Sequence, residues 1–210
     1  MRTSRLEAFS DGVLAIIITI MVLELKPPDG HDLADLVRTS GIGLLTYLLS
    51  FLYVGIYWNN HHHMFHLVRQ IRGGVLWANL ALLFCLSLFP FTTGWVEASR
   101  FAQTPVLVYG VNLLAAGLAY VILQTVIIRQ EGEESLLREA VGADVKGKVS
   151  AVVNLTGVLA ALLIGGRLGA IVAMVCYASV VVLWVVPDRR IDRVVRSHDR
   201  EPETEAGRRG

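Results

Sequence analysis

The chain has 210 residues, of which 54% are hydrophobic and only 18% charged, and its mean hydropathy is +0.55. That is richer in apolar residues than soluble domains are, and the expected class is an all-α integral membrane protein. A formal net charge of +1 provides no general basic field, so nucleic acid is not an expected partner. Cys85 and Cys176 lie singly inside apolar segments, which argues against a disulfide framework and a zinc knuckle alike.

The first apolar stretch, RLEAFSDGVLAIIITIMVLEL from Arg5 to Leu25, predicts a span over about residues 6–25, long enough to cross a ~30 Å hydrocarbon core. It has no small-residue cleavage site, so it reads as a retained span rather than a signal peptide. Placed about 100° apart on a helical wheel, Ile16, Thr19, Ile20 and Leu23 fall within one arc. Asp11 projects from nearly the opposite side, and a carboxylate within a span must face a partner or water. The stripe fits ordinary helix packing. The sharper reading is a symmetric pore, in which several copies would form apolar rings at Ile16, Ile20 and Leu23 and a hydroxyl ring at Thr19.

Pro27-Pro28 stops this helix, and Asp29, Asp32 and Asp35 form an acidic linker. That linker is either a solvated connection or a collar attracting cations. A second span covers about 38–58, with Tyr53, Tyr57 and Trp58 gathered at its end like an interfacial belt. Next comes Asn59-Asn60-His61-His62-His63-Met64-Phe65-His66. His62 and His66 have the i, i+4 spacing at which two imidazoles share a metal, but no carboxylate or cysteine lies nearby in sequence, and no metal site is assigned. A haem would need a second deep histidine, whereas His31 and His198 lie outside the spans. The preferred reading is a polar cap that hydrogen-bonds neighbouring helices, the Asp11 region included.

The third span, about 73–95, contains Pro90, which frees a carbonyl and kinks the helix. The fourth, about 105–128, opens on Pro105, a helix-start signal. A polar loop from Arg129 to Lys148 holds one amphipathic turn around Ser135–Val141. The block from Val149 to Val186 is too long for one span and divides at Gly165-Gly166-Arg167-Leu168-Gly169 into spans 149–165 and 168–186. Asn79, Asn112 and Asn154 place one amide in each of three spans, an expected hydrogen-bond network. Pro187 ends a six-helix membrane domain of residues 1–187, and residues 188–210 form a charged tail.

Three strings carry a resemblance. Arg5, Phe9, Ser10, Asp11 and Gly12 spell R-x-x-x-F-S-D-G ahead of an apolar run ending in L-E-L. Trp58, Asn60, His61, His62 and Phe65 spell W-x-N-H-H-x-x-F. Asn79 to Phe84 and Ser87 to Thr92 spell N-L-x-L-L-F and S-L-x-P-F-T. In this order they resemble the transmembrane protein 175 family of potassium channels. The resemblance implies a pore lined by first helices, with a prokaryotic single six-helix unit assembling as a homotetramer in the cell membrane. It implies Ile16 at the main constriction, Thr19 as a hydroxyl layer favouring cations, and Ile20 and Leu23 as further apolar rings. Arg5, Phe9, Ser10, Asp11 and Gly12 form the signature. Ser10 and Asp11 are read as an anchor held by His61, His62 or the Asn79 amide, with Asn60 in the same supporting network. Potassium is the permeant ion, and no cofactor is expected.

The spans leave both termini on one face. Tail aside, Lys/Arg residues number eight there (Arg2, Arg5, Arg69, Arg72, Arg129, Arg138, Lys146, Lys148) against four opposite (Lys26, Arg38, Arg100, Arg167), which predicts cytoplasmic termini. There is no T-V-G-Y-G filter loop and no Arg-rich voltage sensor. Walker, H-E-x-x-H and nucleophile-elbow motifs are likewise missing, so an enzyme is not expected. A histidine-centred metal or haem protein, and a small proton or organic-ion carrier, are the competing readings.

Overall fold

The computed structural model describes residues 3–68, 71–142 and 144–185, and these contain helices and no strand. Arg2, Arg69 and Pro187, and the charged stretch from residue 188, lie outside the described residues. The helices are α1 (Thr3–Leu23), α2 (Leu33–His66), α3 (Gly73–Ser87), α4 (Phe89–Ala98), α5 (Gln103–Glu131), α6 (Leu136–Val141), α7 (Val145–Leu163) and α8 (Gly166–Val185). Counting α3 and α4 as one interrupted span, six segments are long and apolar enough to cross a membrane.

Local chemistry sets the boundaries. The Asp32 carboxylate caps α2 by accepting the Asp35 N–H at 2.7 Å, satisfying one of the orphan donors of the first turn. Asp35 then pairs with Arg38. Two of the three linker carboxylates are thus engaged locally. Helix α2 runs 34 residues, starting earlier than 38 and continuing past Trp58 through the histidines. At about 1.5 Å per residue it is roughly 50 Å long, so its ends stand outside the hydrocarbon. Pro90 lacks the N–H that would reach the Leu86 carbonyl, and the third span breaks at Leu88 into α3 and α4. Thr92 donates its backbone N–H and its hydroxyl to the Leu88 carbonyl, both at 3.0 Å. Gly165 and Gly166 take positive φ angles of 68° and 56°, which lets α7 reverse into α8 within two residues.

Helix α5 is central and packs against α3, α4, α7 and α8, while α1 lies on α2, α3 and α4. Lipid tails are as apolar as leucine, so helices associate through close packing and buried hydrogen bonds rather than through burial alone. Both devices are present. The Tyr177 ring of α8 lies against Gly110 of α5 and Gly157 of α7, where a Cβ would overlap it. Ser50 of α2 bonds Thr93 of α4 at 2.7 Å and Tyr109 of α5 at 3.0 Å. Tyr53 of α2 donates to Asn154 of α7 at 3.3 Å and to the Tyr177 carbonyl at 2.8 Å.

The three asparagines do not form one network. Asn79 bonds α1 and α2, Asn154 bonds Tyr53, and the buried Asn112 Nδ2 has no hydrogen-bond partner. Asn79 and Asn154 sit on α3 and α7, each packed on α5 rather than closely on the other, and Asn112 lies deeper on α5. Counted from the end of the bundle that holds Thr3, the three lie about 9, 14 and 28 Å along α3, α7 and α5 respectively.

Candidate functional site

Helix α1 has two faces. Leu6, Ser10, Leu14, Ile17 and Met21, spaced three or four apart, are buried against the bundle. Ile16, Ile20 and Leu23 are 58%, 42% and 79% exposed, with Thr19 exposed among them. Arg5, Phe9 and Gly12 continue this open side toward the N-terminus, and a Cβ on Gly12 would meet no atom within 4 Å. The Thr19 hydroxyl lies 3.0 Å from the Ala15 carbonyl and 2.9 Å from that of Ile16. Its proton is spent on the helix backbone, leaving the oxygen as an acceptor on the open face.

The closed face is pinned by a buried polar chain. Ser10 Oγ donates to the Leu6 carbonyl at 2.9 Å and accepts from Asn79 Nδ2 at 3.0 Å. Asn79 Oδ1 accepts from His61 Nε2 at 2.8 Å. Ser10, Asn79 and His61 are essentially inaccessible, so α1, α2 and α3 are joined through groups that water cannot replace.

Asp11 corrects the expectation. It bonds none of His61, His62 and Asn79; its Oδ1 accepts the Trp58 indole N–H at 3.0 Å. Ser10 holds the centre of the buried face, and the ~100° step to Asp11 carries that side chain to the α2 edge. Trp58, expected in an interfacial belt, meets it there. One turn along each helix the contact repeats, with Glu7 Oε1 2.9 Å from His62 Nδ1. Glu7 and Asp11 on α1 thus face His62 and Trp58 on α2 as two rungs at i, i+4 spacing. The missing carboxylate beside the histidines is Glu7, supplied from another helix. The wheel places Glu7 within about 40° of Asp11, and that signal was available in the sequence.

Asn60 stands apart from the anchor. Its Nδ2 donates to the Ile56 carbonyl at 2.9 Å, and its backbone carbonyl accepts from the Tyr120 hydroxyl at 3.3 Å. His62 lies 3.0 Å from His66, Nε2 to Nε2. Among the described residues, Glu7, His62 and His66 are the group able to converge on a metal, with their ligand atoms within 4.8 Å of one another.

The fold and this arrangement define a polytopic, all-helical membrane protein whose first helix is fixed on one side and apolar and open on the other. A family model described as the endosomal/lysosomal potassium channel TMEM175 matches residues 5–90. A Chryseobacterium potassium channel is 48% identical over 198 residues, covering 94% of this chain and all of the relative. The human endosomal/lysosomal proton channel TMEM175 is 33% identical over 113 residues, 48% of this chain and 22% of that protein. The crystal structure of a lysosomal potassium-selective channel TMEM175 homolog from Chamaesiphon minutus superposes with a TM-score of 0.72 at 26% identity, covering 88% of this chain and 96% of that one. The chain belongs to the TMEM175 family.

Proposed function

We propose that this protein is a potassium channel of the cell membrane, formed by four copies whose α1 helices surround the conduction path, with both termini cytoplasmic. The observation that carries the proposal is the open stripe of α1, three large apolar side chains and one hydroxyl opposite a face tied down by buried hydrogen bonds. In a fourfold arrangement Ile16, Ile20 and Leu23 form successive apolar rings. A narrow ring of this kind closes by dewetting and opens when it widens enough to hold water. The Thr19 oxygens, with their protons turned to the backbone, offer a ring of acceptors to a partly dehydrated cation. Passage through an apolar neck requires shedding water, which costs potassium less than the more tightly hydrated sodium.

The name of the human relative raises the proton as an alternative ion. None of Ile16, Thr19, Ile20 and Leu23 titrates near neutral pH, so protons have no side-chain relay along this stripe, and potassium is the better fit. The buried polar chain of Ser10, Asn79 and His61 positions α1 and stays outside the path.

Flux from proteoliposomes under potassium, sodium and proton gradients in turn tests the reading. Potassium flux well above sodium is expected, with Ile16→Asn shifting the reversal potential toward zero or leaving the pore leaky. Flux and reversal potential unchanged by Ile16→Asn would remove Ile16 from the path, and absence of potassium flux would overturn the proposal.

A further inference from the structure

We infer that Glu7, His62 and His66 form a binding site for a divalent transition ion of the zinc class, clipping α1 to the end of α2. This inference stands independently of the channel reading. His62 and His66 are one turn apart in the last turns of α2, and their Nε2 atoms are 3.0 Å apart. Two imidazoles binding one zinc at about 2.0–2.1 Å in tetrahedral geometry place their nitrogens roughly 3.3 Å apart. The pair therefore needs to open by only a few tenths of an ångström. The third ligand comes from a different helix, with all three ligand atoms within 4.8 Å of one another. That is the three-ligand set plus a water that zinc accepts.

The ligand chemistry selects the ion. Two imidazoles and one carboxylate suit zinc, copper or nickel, whereas magnesium and calcium take all-oxygen shells. In this structure Glu7 Oε1 sits 2.9 Å from His62 Nδ1, so ligation through the two Nε2 atoms requires the carboxylate to leave that contact and turn to the ion as the third ligand. An entry route exists, since the His62 side chain is 40% exposed and His66 is exposed. The Trp58 ring stacks on His62 with centroids 6.1 Å apart, and the same indole bonds Asp11. Ligand placement is thus tied to the rung that holds α1.

The consequence is mechanical. An ion held by Glu7 and the two histidines cross-links the N-terminal part of α1 to the C-terminal end of α2. It stabilises the folded chain by mass action.

The test is calorimetric titration of the full-length, tag-free protein in detergent with zinc chloride, paired with melting curves with and without zinc. One zinc per chain and a zinc-dependent rise in Tm are expected. His66→Ala, a change at an exposed position, is expected to weaken binding at least tenfold and abolish the rise, with Glu7→Gln doing the same. His63→Ala, on the exposed residue next to His62, leaves both unchanged. Failure of the wild type to bind zinc, or binding that His66→Ala and Glu7→Gln leave intact, overturns the site.

Discussion

Ser10, Asn79 and His61 show how few polar atoms are needed to fix a membrane helix. Each is buried, and each donates to or accepts from the next. Asn79→Leu keeps the branching and heavy-atom count, adds bulk, and strands the His61 donor and a Ser10 lone pair, and a buried polar group left unpaired costs about 1–3 kcal/mol. The expected result is a clear fall in Tm in detergent, checked by a thermal melt against wild type. An unchanged melt would mean the chain carries no structural weight. The sequence made these residues visible as polar groups inside apolar spans, and Asn79 and His61 were identifiable as supports. The partner of Asp11 was not legible, because a helical wheel gives direction about one axis and is silent on how the neighbouring helix is rotated. Trp58 stands near a span end, where sequence position alone marks an interfacial tryptophan, and its indole N–H finds a carboxylate on the adjacent helix.

At the scale of elements, close approach is the binding device. Tyr177 fills the space left by Gly110 and Gly157, and its ring is fully buried. In a helix an added Ala methyl is ordinarily favourable by up to about 1 kcal/mol. At Gly110 it must displace a packed ring, and overpacking costs about 1–3 kcal/mol. Gly110→Ala is therefore expected to lower Tm, whereas Gly55→Ala, where a Cβ meets nothing within 4 Å, raises it or leaves it alone. Equal melts for the two variants would contradict this account. The six spans, the break at Pro90 and the glycine turn between α7 and α8 followed from hydropathy and backbone chemistry. The length of α2 did not. Polar residues mark where a helix leaves hydrocarbon, but its backbone bonds are internal, and nothing in Asn59 to His66 stops it.

At the scale of the whole molecule, α1 is held on one side by α2, α3 and α4 and presents its other side outward. In one chain that open stripe looks like any lipid-facing surface, and exposed apolar residues on α7 such as Val152 (64% exposed) are indistinguishable from it by composition. This is why the helical wheel, and a single copy, leave ordinary packing as the simpler reading of the stripe until family membership is added. What separates the two is water. The decisive measurement replaces Cys85 and Cys176 with alanine and introduces Ile16→Cys, Leu23→Cys or, as the lipid-facing comparison, Val152→Cys. Potassium flux is then followed in proteoliposomes before and after a positively charged, water-soluble thiol reagent, with labelling confirmed by mass spectrometry. The account predicts modification and block at Leu23→Cys and Ile16→Cys, and neither at Val152→Cys. If Leu23→Cys stays unmodified, or is modified with flux intact, the open face of α1 does not line the conduction path.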